Sequence, residues 1–335
     1  MAKQMNYILT KTVVRKAIMD IKTDPERTVR NLVDMALHFT DSRFQKNFFA
    51  SAQKLLSDEH SGYYALVKDT LTKVNEETLL TFSMNMGYGG LYEGSRKIRS
   101  AEAEKGFNIP WTIAVSVGEK GVNDRHHLLI RQGQEMGIRV WQLFSEGSIL
   151  ECLSLAAQYP ESAFIIYCGS GEIDLHTLDV ASDLHNIALI VPYDDQADVV
   201  CALLREAGLL YGLHYAYCDK DKPRIESGAL FEDMQSLYPL ACVLRHSYPC
   251  NQECCDQVSL WIRNARMEQN FKTILWEMYG DALLIDEVIS NEPCWVGFDL
   301  SGQLNTQFGR YPNSEYNIFK IDLPDILRQA FPQKA

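Results

Sequence analysis

The feature that most constrains this chain is an alternation that begins near residue 109. Apolar runs rich in β-branched residues recur at 111–117, 138–144, 163–168, 187–193, 211–217 and 239–245, with stretches of helical period between them. The first, Trp111 to Val117, lacks polar–apolar alternation, as a strand buried on both faces does. Asn123 or Asp124 is placed to cap the following helix, whose Leu128, Leu129 and Met136 recur near helical spacing before Gly137 ends it. Strands joined through helices in this way run parallel with right-handed crossovers. Six such units predict an α/β fold, either a partial (βα)6 barrel or a doubly wound open sheet. In both, ligands bind beyond the C-terminal ends of the strands.

The flanks read differently. Residues 1–105 predict an all-helical region, with amphipathic stretches at 6–21, 43–56, 63–73 and 89–104 and a helix opened by Asp24 and Pro25. Residues 106–270 form the barrel-like domain. Residues 271–335 predict an irregular C-terminal appendage with strand-like "KTILWEM", "ALLIDEVI" and "CWVGFDLSG" and a final helix in "LPDILRQAF".

Charge narrows the function classes. With 32 basic against 44 acidic residues the formal charge is −12, which repels nucleic acid and anionic membranes at long range. No apolar run reaches the roughly 20 residues of a bilayer span, and the N-terminus has no signal-peptide core, so the expected location is the cytoplasm. Of nine cysteines, Cys152, Cys168, Cys201, Cys218 and Cys242 lie singly in predicted elements, as small buried hydrophobes do. Only "CNQECC", Cys250 to Cys255, is a cluster.

The stretches "EAEKGFNIPWTI", "LLIRQGQEMGIRVWQLFSEGS", "PERTVRNLVDMA", "AGLLYGLHYAYCDK", "YPLACVLRHSYP" and "VGFDLSGQL" together resemble the radical S-adenosylmethionine (SAM) superfamily, in particular bacterial members with a long helical N-terminal region. The resemblance implies a radical-SAM-like partial barrel. It also implies a Cys-x3-Cys-x2-Cys loop after the first strand, whose thiolates hold a [4Fe-4S] cluster. Here that place reads "VSVGEKG", Val115 to Gly121, short and without cysteine. Where the family has Gly-Gly-Glu-Pro, this chain has Ser145, Glu146, Gly147 and Ser148. The cysteines of the auxiliary-cluster region are missing apart from Cys294. The expectation is therefore a degenerate radical-SAM-fold protein, a pseudoenzyme without cluster or cofactor, acting as a noncatalytic partner, regulator or ligand-binding protein.

Several residues are candidates for other chemistry. Ser145, Glu146, Asp194 and Asp195 follow strands and would line a small-molecule site at the barrel mouth, or else cap helices. Cys218, His246 and Glu146 are the candidates if the chain is instead a non-radical enzyme working by acid–base chemistry. Cys250, Cys254 and Cys255, joined by His246 or Cys294, are the candidate metal ligands, although adjacent cysteines rarely bind one ion together. His126 and His127, early in a helix, read as packing or surface residues. Phe44, Phe48 and Phe49 exceed what one helical layer hides on itself, which predicts a homodimer or a protein partner engaged through the N-terminal region. Lys11, Arg15, Lys16 and Lys22 beside Ile8, Leu9, Val14 and Ile18 would suit a membrane surface, but such a helix more commonly docks on its own protein.

Overall fold

The computed structural model describes residues 2–21, 61–247, 250–290 and 292–333. Phe44, Phe48 and Phe49, and the helix predicted from Asp24, lie outside the described residues. Among the described residues, the helical elements before the first strand are α1 (Ala2–Ile21), α2 (Gly62–Lys73), α3 (Glu76–Ser83), a π-helical segment Met84–Gly94, and α4 (Ser95–Lys105). Then come β1 (Thr112–Val117), α5 (Asp124–Met136), β2 (Val140–Ser145), α6 (Ile149–Ala157), β3 (Ala163–Tyr167), α7 (Leu175–Ser182) and β4 (Ile187–Pro192). The series continues with α8 (Ala197–Glu206), β5 (Tyr211–Tyr217), α9 (Lys222–Glu226), α10 (Ala229–Gln235), β6 (Ala241–His246), α11 (Gln252–Glu268) and β7 (Ile274–Glu277). It closes with α12 (Met278–Ile289), β8 (Val296–Phe298), β9 (Leu304–Thr306), β10 (Gly309–Arg310) and α13 (Leu323–Ala330).

Strands form at all six predicted positions. The stretch after residue 270 is more regular than expected. "KTILWEM" supplies β7, parallel to β6, and "CWVGFDLSG" supplies β8, parallel to β1. "ALLIDEVI" is not a strand but the body of α12. Its apolar run fits either period; the helix wins because it buries Ala282 and Ile289 while Asp286 takes two backbone N–H groups from the chain beside it.

The chain folds as two compact units. Unit 1 combines residues 1–80 with 193–278, and unit 2 combines 81–192 with 279–335. In unit 2 the strand order is β10-β9-β8-β1-β2-β3-β4, parallel from β8 to β4, with β9 and β10 turning back antiparallel. Register places Ile113, Val115, Trp141, Leu143, Phe164, Ile166 and Leu189 on one face, where they are almost fully buried. Trp141 packs against α5 at Gly133, where any Cβ would sit 2.5 Å from the indole, so only glycine admits the contact. The opposite face carries Thr112, Ala114, Ser116, Gln142, Phe144, Ile165 and Tyr167, a mixed set typical of a surface that faces a site. The π-helical segment is tied to this unit by Asn85, whose amide donates to Pro160 O at 2.8 Å and Ser162 O at 3.1 Å.

In unit 1, β5, β6 and β7 are parallel neighbours. α2 is held to α8 by a bidentate Arg205–Asp69 pair, one contact of which measures 2.7 Å. α1 pairs Arg15 with Glu77 at 2.6 Å and buries Ala17 and Ile18. No helix among the described residues is long and apolar enough to cross a membrane.

Candidate functional site

In unit 2 the C-terminal ends of the strands are closed by their own side chains. Between β1 and α5 the chain makes a short turn, Gly118 to Asn123, with Gly121 N donating to Gly118 O at 2.8 Å and Val122 N donating to Glu151 Oε2 at 3.1 Å. Asn123 caps α5, and His126 Nδ1 returns the favour by accepting from Asn123 N at 3.1 Å. His126 is thus a buried capping residue, its ring edge-on to Phe319, and burial holds its pKa low. His127 bonds the Tyr159 hydroxyl at 3.1 Å. Both histidines do the packing work expected of them.

Ser145, at the end of β2, donates to Glu172 Oε1 at 2.5 Å and accepts from Ser148 N at 3.1 Å. Glu172 also accepts from Ile149 N at 3.1 Å and Gly169 N at 2.8 Å, so one carboxylate ties the β2–α6 and β3–α7 connections together. Ser148 Oγ donates to Val117 O at 2.6 Å, and Glu146 N to the same carbonyl at 2.9 Å, while the Glu146 side chain is exposed. Phe144 and Tyr167 stack with ring centroids 4.4 Å apart.

The strand ends of unit 1 are more open. Tyr193, Asp194, Asp195, Tyr215, Arg224 and Asp233 line a cleft of about 390 Å³. Asp194 Oδ1 accepts from Gln196 N at 2.9 Å and its carbonyl from Ala197 N at 3.1 Å, a turn that leads into α8, whose N-cap position is Gln196 and carries no side-chain cap bond. Arg224 and Asp233 pair at 2.8 Å. With Asp198 the lining holds more carboxylates than guanidinium, so any ligand matched to it carries positive charge. Cys218 follows β5, its thiol donating to Asp221 Oδ2 at 3.3 Å and its N–H to the same oxygen at 2.9 Å. His246, at the end of β6, lies edge-on to Tyr217. Burial and then Arg245 lower its pKa, and the same two causes push His214 down to about 4. Both imidazoles are neutral at pH 7.

Parallel pairing of Tyr217 with His246 makes the loops after β5 and β6 neighbours, and Ser247 N donates back to Tyr217 O at 2.8 Å. This juxtaposition assembles a thiol cluster. Cys250 Sγ lies 3.4 Å from Asp219 Oδ1 and 3.5 Å from Cys255 Sγ. Asp219, Cys250 and Cys254 place their donor atoms within 4.8 Å of one another. Asp219 also accepts from Asn251 N at 2.9 Å, and Asn251 caps α11 through Glu253 N. Burial, then the neighbouring thiol and carboxylate, raise the Cys250 pKa, and burial raises that of Cys254, so without a cation both are thiols. The side chain that joins the thiols is therefore Asp219.

Cys294 belongs to unit 2 and a different environment. Its N–H donates to Asp286 Oδ2 at 2.7 Å, and Asp286 Oδ1 accepts from Trp111 N at 2.9 Å. Nearby, Glu102 accepts from Ile109 N at 2.8 Å and Ser290 Oγ at 2.5 Å. Both carboxyls are buried, and burial raises both pKa values, that of Asp286 to about 7. The group fixes the chain leading into β1 against α12. Cys152, Cys168, Cys201 and Cys242 are buried as expected, and burial pushes the Cys152 thiol up to about 12; Cys218, expected with them, is only half-buried, because it ends β5 where its thiol reaches Asp221.

No family model matches the chain, and no curated protein matches it. Among solved structures, Streptococcus suis SuiB aligns with a TM-score of 0.50 at 9% identity, over 89% of this chain and 81% of that one. SuiB bound to its precursor peptide SuiA aligns with the same TM-score at 10% identity, over 76% and 70%. At such identity the likeness speaks for the fold alone. The chain described here shares the α/β fold of SuiB.

Proposed function

We propose that this chain is a noncatalytic member of the radical-SAM-like fold, which has given up the cluster and S-adenosylmethionine and acts as a partner, regulator or ligand-binding protein. The turn between β1 and α5 carries the reading: Gly118 to Asn123 holds no cysteine, and its backbone is bonded to itself and to Glu151. A cluster-bearing loop needs three thiolates there. Supporting it, the polar groups at the ends of β2 and β3 are engaged with one another through Glu172 rather than turned toward a ligand. The protein partner, or a second copy, follows from the loss of chemistry. A small ligand, if there is one, is best matched to the acidic cleft at Asp194 and Asp195.

The test is anaerobic reconstitution with iron and sulfide, followed by S-adenosylmethionine and a strong reductant. The expected result is no 5′-deoxyadenosine by mass spectrometry and no change in the EPR spectrum on adding the cofactor. Production of 5′-deoxyadenosine would sink the reading. Light scattering checks association separately: a mass of twice 38.2 kDa is expected for the homodimer, and a strict monomer removes it.

A further inference from the structure

The thiol cluster of unit 1 does not belong to that reading. We infer that Asp219, Cys250 and Cys254 form a binding site for a single zinc-class divalent ion, with the fourth coordination position open to solvent.

Three observations carry this. The first is the donor set: two soft sulfurs and a carboxylate oxygen, from two adjacent strand-to-helix connections, suit a d10 ion of borderline softness. The second is spacing. Ligands at about 2.3 Å (sulfur) and about 2.1 Å (oxygen) around a tetrahedral ion lie roughly 3.6 Å apart for a sulfur–oxygen edge and roughly 3.8 Å for a sulfur–sulfur edge. The Cys250–Asp219 distance of 3.4 Å is close to the first, and the three donor atoms fit within 4.8 Å. An iron–sulfur cluster needs its thiolates farther apart, because each binds a different iron.

The third observation is independent of the ligands. Tyr217 is 0% exposed, and its hydroxyl meets no oxygen or nitrogen partner among the described residues, its hydrogen-bond neighbour being the Cys255 thiol. The ionisable groups acting on it are Glu277, Cys255 and Cys250. A buried O–H left beside thiols, which accept weakly, gains a stronger acceptor in its surroundings when Cys250 becomes a metal-bound thiolate. Binding converts two thiols to thiolates and releases two protons to solvent. Backbone geometry already holds the ligands: Asn251 N fixes the Asp219 carboxylate, and Asn251 in turn caps the helix that carries Cys254. Cys255 lies 3.5 Å from Cys250 Sγ but is not one of the three donors that all fall within 4.8 Å of one another, and it is not assigned as a ligand.

The full chain, reduced and stripped with chelator, is titrated with Co²⁺ and then Zn²⁺ alone. The expected result is one Co²⁺ per chain, with tetrahedral d–d bands and a thiolate charge-transfer band, displaced by one Zn²⁺. Cys254→Ser should weaken Zn²⁺ binding by about 100-fold and diminish the charge-transfer band; Asp219→Asn should weaken it by about 10-fold or more and keep that band. Cys255→Ser and Cys294→Ser should leave affinity unchanged. Asp219 is exposed, so D219N keeps the test meaningful if a cysteine variant misfolds. Absence of stoichiometric Co²⁺ binding, binding unaltered in D219N and C254S, or loss in C255S equal to that in C254S would each overturn the assignment.

Discussion

The carboxylates of the two units tell opposite stories. In unit 2, Glu172 and Asp286 sit at opposite ends of the strand layer, and each is saturated by the chain's own donors: Ser145, Ile149 and Gly169 on one, Trp111 and Cys294 on the other. In unit 1, Asp219 lies at the surface and shares its oxygen with a backbone amide and a thiol, with more sulfur close by. A carboxylate enclosed by N–H and O–H donors holds chain segments together; one placed among thiols holds them together only weakly, which is what the proposed cation would change. The same residue type after a strand can therefore be structural or ligand-binding, and its neighbours decide which.

The contrast predicts a graded series of effects. Asp286→Ala leaves the N–H groups of Trp111 and Cys294 buried without an acceptor and should cost about 3 kcal/mol or more, read from denaturant midpoints. Asp286→Asn isolates the charge. The folded pKa of Asp286 is raised to about 7 from 3.8, so between these values the native state binds more proton than the unfolded chain. Its contribution is fully present below pH 3.8 and is lost as pH rises toward 7, at no more than about 1.4 kcal/mol per pH unit. The stability difference between wild type and D286N should shift by that slope over pH 4–7 and be flat above it; a flat difference throughout would mean that the carboxyl is not perturbed.

Glu172→Gln should cost less, about 1–2 kcal/mol, because the site is half-exposed and one amide oxygen still accepts. Faster hydrogen exchange at Gly169 and Ile149 would locate the damage, and unchanged exchange there would remove Glu172 from its tying role. Tyr217→Phe is the smallest and has the opposite sign: removing a buried hydroxyl whose neighbour is only a weakly accepting thiol should leave the metal-free protein unchanged or up to about 1 kcal/mol more stable. A clear loss of stability would show that the hydroxyl already has a strong partner.

The parallel strands were legible because each is a short run rich in apolar and β-branched or aromatic residues set between turn or helix-end signals, as in "WTIAVSV". α12 was misread because "ALLIDEVI" is equally apolar and its defining residue, Asp286, looks like a break in a strand until Trp111 and Cys294 arrive from elsewhere to bond it. Glu102 was invisible for the same reason: it lies in the polar run "SRKIRSAEAEK", and only Ile109 and Ser290 reveal that it is buried. Glu172 carried a signal, an acid directly after a strand and the glycines of "CGSGE", that was not weighted. Asp219 stands after the fifth predicted strand and the thiols after the sixth; adjacency of those strands, which parallel order implies, was the available clue for joining them.

The discontinuity of the units has a consequence for how the chain comes into being. Synthesis delivers residues 81–192 long before 279–335, so unit 2 cannot be completed until its last segment emerges. The hydrogen bond from Trp111 to Asp286 spans 175 residues of sequence, and β8, which covers the edge of β1, comes later still. Until then β1 presents an unpaired, strongly apolar edge, the kind of surface on which nascent chains associate with one another. Contacts of such long separation fold slowly, so the molecule spends its youth more exposed than its mature form suggests.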